Sequence, residues 1–98
     1  MRVYAVAMTE VQEDSVLSEA DAFLEWDDAV DAADSFMMRC VGDFYEIDPA
    51  CEKERRAKLE DLVWRETDVF RGMRKLDIGY EDLEKSFILS ACVQEKES

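Results

Sequence analysis

The 98-residue chain is 48% hydrophobic with ten aromatics, enough apolar material for one core, and it sets 25 acids against 12 bases with no histidine, a formal net of −13. That charge disfavours direct binding to nucleic acid or an anionic membrane and favours basic surfaces. No apolar run approaches the ~20 residues a bilayer span needs, and the opening MRVYAVAMTE is too briefly apolar, and too poor in cleavage-site character, for a signal peptide. The expectation is a single acidic α+β domain over residues 1–98, cytoplasmic, in a host cell's cytoplasm if a phage encodes it.

Val3 to Met8 alternates small and large apolar residues and predicts a strand, with residues 9–15 (TEVQEDS) as a loop. Residues 16–24 (VLSEADAFL) admit two readings: a second strand in a hairpin with the first, or a helix start with Ser18–Asp21 as a capping box. Strand followed by helix is preferred, because Ala20 and Leu24 fall off the helical stripe.

From Trp26 to Val41 the helical period is clear. Ala29, Val30, Ala33, Phe36, Met37, Cys40 and Val41 fall within roughly 140° of one another, while Asp27, Asp31 and Asp34 cluster opposite with Asp28 beside them. Gly42 reads as the stop and Arg39 as a last-turn base. Residues 44–47 (FYEI) read as extended. A second helix is expected from Asp48 as N-cap and Pro49 at the first position, running to about Met73 with a bend or break near Glu66-Thr67. After a turn at Asp77–Gly79, Ser86 to Gln94 reads as a last strand with a frayed tail. Assembled, these elements predict a small antiparallel sheet of two or three strands packed against two main helices.

Catalytic and cofactor patterns are missing. No histidine can act as base, no glycine-rich loop cradles a phosphate, and the register Asp27-Asp28-Ala29-Val30-Asp31 is not that of a calcium loop. Cys40, Cys51 and Cys92 are widely spaced, without a CxxC pair, and read as reduced apolar side chains. The expectation is no enzyme, no metal and no cofactor. The run Lys53–Lys58 is basic but interleaved with glutamate, which suits ion pairs better than nucleic acid.

What remains is where the charge sits. Residues 1–38 hold ten acids and one base, Arg2, for a net of −9; residues 39–98 hold fifteen acids and eleven bases, for −4. The candidate partner-binding residues are therefore Asp21, Glu25, Asp27, Asp28, Asp31 and Asp34. Helical spacing puts successive carboxylates of Asp27, Asp31 and Asp34 about 4.5–6 Å apart along the axis, close to the spacing of phosphates on a strand. Trp64, expected off the main stripe of the second helix, is the seventh candidate, either packed under a loop or an aromatic anchor beside Tyr80. The acid face has a plain alternative role in solubility.

In size, missing histidine, charge and acid-only opening stretch, the chain resembles, as a class, the small acidic inhibitors encoded by phages and mobile elements, among them anti-CRISPR proteins and other DNA mimics. That resemblance implies a non-enzymatic inhibitor binding the basic surface of a nucleic-acid-binding host defence complex such as a CRISPR effector. The alternative is a protein–protein interaction module acting through an apolar or mixed surface.

Overall fold

A computed structural model describes residues 1–70 and 72–97, with Thr67 the one side chain described between 63 and 70. In chain order the elements are β1 (Arg2–Gln12), β2 (Ser15–Phe23), α1 (Trp26–Phe44), α2 (Glu52–Asp61), β3 (Val63–Phe70), β4 (Arg74–Asp82) and β5 (Phe87–Glu97). The strands form one sheet in the order β2-β1-β5-β4-β3. Every neighbouring pair is antiparallel. The α+β class and the two helices match expectation, while the sheet has five strands rather than two or three.

Strand alternation sends successive side chains to opposite faces. On β1 the inward set is Tyr4, Val6, Met8 and Glu10; the register aligns Val6 with Val93 and Met8 with Ala91 on β5. On β4, Leu76 and Ile78 continue the same rows. This face packs against Ala29, Ala33, Phe36, Met37, Cys40 and Val41 of α1 and against Leu59 and Leu62 in one buried cluster. The helix stripe expected from the sequence is thus the core face of α1, with Met38 also buried and Val30 half-buried. Helix α1 crosses β1 and β5, and α2 packs beside α1.

Residues 16–24 resolve in favour of the hairpin strand, closed by a tight turn at Glu13-Asp14 instead of a seven-residue loop. Other expectations are corrected. The second helix ends at Asp61, and residues 63–70 pair as a strand along β4. Val63, Trp64, Thr67, Val69 and Phe70 are β-branched or aromatic, and an available sheet edge outweighs a helical stripe already broken at Glu66. Asp48 does not cap α2. Its carboxylate accepts from the Ala50 N–H and its carbonyl from the Cys51 N–H, making a turn, so the helix begins at Glu52 with Cys51 as N-cap. Asp77–Gly79 lies inside β4; the turn before the last strand comes at 83–86, and Gly72, whose φ of 82° favours glycine, precedes β4. The tail after Gln94 is strand, because central β5 finds a partner on each side.

Gly42 is not a helix stop either, since α1 continues to Phe44, and residues 45–47 follow it as a turn rather than a strand. A Cβ at Gly42 would collide with the guanidinium of Arg55. Arg55 is 8% exposed, and its guanidinium lies against that gap. Its Nε and Nη2 donate to the Ile47 carbonyl at 3.0 and 2.7 Å, and Nη1 donates to the Met38 carbonyl at 3.3 Å. A side chain that interrupts the apolar stripe of α2 is therefore the pin that fixes α2 and the connecting turn to the end of α1. Beside it, Phe44 stacks on Phe87 at 4.0 Å, and Tyr45 meets both rings edge-on. The Tyr45 hydroxyl donates to Asp82, tying the helical layer to the end of β4.

Candidate interaction surfaces

Edge strand β2 is exposed along its length up to Phe23 and leads directly into α1. Asp21 lies on it, Glu25 precedes the helix, and Asp27, Asp28 and Asp31 project from the outer face of α1, all exposed. Asp27 and Asp28 occupy the first helical turn, where the positive end of the helix dipole favours carboxylates. Among the described residues none of Asp21, Glu25, Asp27, Asp28 and Asp31 forms an ion pair.

Asp34 differs. Its two carboxylate oxygens accept from Nη1 and Nη2 of Arg56, each at 2.7 Å, in a bidentate pair that joins α1 to α2. The hydrogen bond from Arg56 to Asp34 raises the Arg56 pKa, with burial opposing and the carboxylate's charge adding. Charge in this pair is already balanced. Arg39 likewise pairs with Glu19 of β2 instead of serving the end of its own helix. The expected array thus contracts to five carboxylates running from β2 over the first half of α1.

Trp64 sits on β3 with Tyr80 of β4 as its register partner, not on a helix surface, and its side chain lies outside the described residues. Tyr80 packs against the core cluster.

The far side of the sheet faces no helix. From β1 it presents Val3, Ala5, Ala7, Thr9 and Val11, and the register adds Val16, Ser18, Ala20 and Ala22 from β2 and Ile88, Ser90, Cys92 and Gln94 from β5. A shallow trough of about 510 Å³ runs over Ala7, Thr9, Thr67, Gly79, Ser90 and Cys92. The sequence signal for this face was the string of small residues alternating with core residues in 3–11 and 87–94, which a reading in terms of one buried face passes over.

The three cysteines are free thiols. Cys40 is buried as expected, while Cys51 and Cys92 are half-buried. Burial first, then the charge and hydrogen bond of the buried Glu10 carboxylate, push the Cys40 thiol up to about 12. Burial and the hydrogen bond to Asp77 raise Cys92 in the trough. Both thiols therefore stay protonated at neutral pH and make poor nucleophiles. Among the described residues no group of three or more acidic or thiol side chains is placed to hold a metal ion, and no helix is long and apolar enough to cross a membrane. No protein-family profile, curated protein or solved structure matches this chain.

Proposed function

We propose that this protein is a non-enzymatic binding module whose acidic face docks into the cationic groove of a nucleic-acid-binding protein, acting there as a nucleic-acid mimic and inhibitor. A host defence complex of the CRISPR effector kind, met in the cytoplasm, is the partner class this reading names. The observation that carries it is the set of exposed carboxylates at Asp21, Glu25, Asp27, Asp28 and Asp31, none of them ion-paired among the described residues, on adjoining strand and helix. Fixed anionic groups at phosphate-like spacing displace counterions from a basic groove much as a nucleic-acid strand does. The face needs no catalytic group, and its docking draws on charge already in place.

The test is competition. With a purified CRISPR effector complex and its target DNA, the wild-type protein should displace the DNA, and a variant carrying Asp27→Lys, Asp28→Lys and Asp31→Lys should do so about 100-fold less well or worse. Equal competition by the two proteins would refute the acidic-face reading.

A further inference from the structure

We propose that the open face of the sheet is a self-association surface, seating the same face of a second copy of this chain so that the pair packs sheet on sheet with both helical layers outward. The first observation is charge. In a chain with a net of −13, the outward positions of β1 and β2 carry no charge at all. Those of β4 and β5 carry Lys75, Lys96, Asp77 and Glu81, which cancel. Lys75 and Asp77 already pair at 3.7 Å. A face whose charges cancel over β1, β2, β4 and β5 meets its own copy with little repulsion, whereas the −13 charge of the whole protein argues against two copies meeting anywhere along the acidic side.

The second observation is relief. Val11 aligns with Val16 on one side and Ile88 on the other, making an apolar ridge across three strands near the β1–β2 turn. Val16 is 68% and Ile88 40% exposed. Next along the same strands the floor drops to Thr9, Ala7, Ser90 and Cys92 in the trough. A two-fold axis between ridge and trough lays each ridge in the other copy's trough, the same patch serving both sides as a closed dimer requires. The third is size. Five strands about 4.8 Å apart and roughly 30 Å long cover about 700 Å² per copy, or ~1,400 Å² together, within the range of stable interfaces.

The inference stands apart from the acidic-face reading, and salt separates them. Raising ionic strength from about 0.05 to about 0.5 M weakens docking to a basic groove but strengthens self-association by screening like charges. Sedimentation velocity should give a species of twice the 11.4-kDa chain mass whose population rises with protein concentration and with salt. Ala7→Arg and Ser90→Arg, each placing a cation in the trough, should each return it to monomer with the far-UV dichroism unchanged, while Asp31→Arg leaves the dimer intact. If one trough variant fails to fold, the other decides. Iodoacetamide should also label Cys92 several-fold more slowly in concentrated than in dilute protein, with Cys51 unaffected. A wild-type chain that stays monomeric in high salt, or a dimer that survives a folded trough variant, would overturn the proposal.

Discussion

The outer face of α1 and the open face of the sheet are both solvent-exposed, yet they differ in almost everything else. One concentrates Asp27, Asp28 and Asp31 without a described counter-charge; the other gives the outward positions of β1 and β2 to alanine, serine, threonine and valine alone. Strand β2 shows how the separation is made. Its alternation sends Leu17, Glu19 and Asp21 to the helix side and Val16, Ser18 and Ala20 to the open side, and a one-residue slip in register would exchange the two sets. Exposure alone does not nominate a surface. What distinguishes these two is whether the charges are balanced inside the protein and which side of the pleat carries them.

The comparison depends on the helical layer being held in one place, and the largest effect should come from removing its pin. Arg55→Ala strands the Ile47 and Met38 carbonyls beside an empty gap and should cost about 2–4 kcal/mol in urea unfolding. Gly42→Ala should cost about 1–3 kcal/mol, because the new methyl occupies the guanidinium's place. The double variant should cost less than the two losses added, since truncating Arg55 removes the clash. Additive losses would show that the two positions do not share this space.

A second effect lies at alkaline pH. The folded protein holds the Cys40 proton more tightly than the unfolded chain. The stability this contributes is therefore complete below pH 9 and is lost as pH climbs toward 12. Tyr45, raised by burial and by its bond to Asp82, adds a loss of the same sign. Stability measured across that window should fall steeply in the wild type and less steeply in Cys40→Ala. An equal slope in both would remove Cys40 from the account.

The smallest effect should be at the balanced pair. Asp34 and Arg56 are each more than a third exposed, so Asp34→Asn should change stability by no more than about 1 kcal/mol in a thermal melt.

Much of this organisation was written in local patterns. The period of 3.6 across Trp26–Val41 placed both the core stripe of α1 and the exposed positions of Asp27, Asp28 and Asp31. The alternation in 3–8 and 86–94 placed strands β1 and β5. Strand β3 was not legible in the same way. Leu59, Leu62 and Val63 continue a helical spacing into it, and the competing interaction is pairing with β4, a contact that local periodicity does not encode. The site suffered from the same blindness. Asp34 belongs to the acidic stripe by spacing, but Arg56 answers it from 22 residues away across a helix–helix contact. Gly42 read as a stop for a related reason, its role being set by Arg55 on the next helix.

The central claim, that unbalanced carboxylates and not acidity in general form the docking face, is most directly tested by the salt dependence of binding to a purified CRISPR effector complex. Each carboxylate that truly engages a basic groove should lower the slope of log affinity against log salt by up to about one unit when removed. Asp31→Asn should therefore flatten the slope and weaken binding, while Asp34→Asn, whose charge Arg56 already balances, should leave the slope unchanged. Equal flattening by both substitutions, or by neither, would contradict the account.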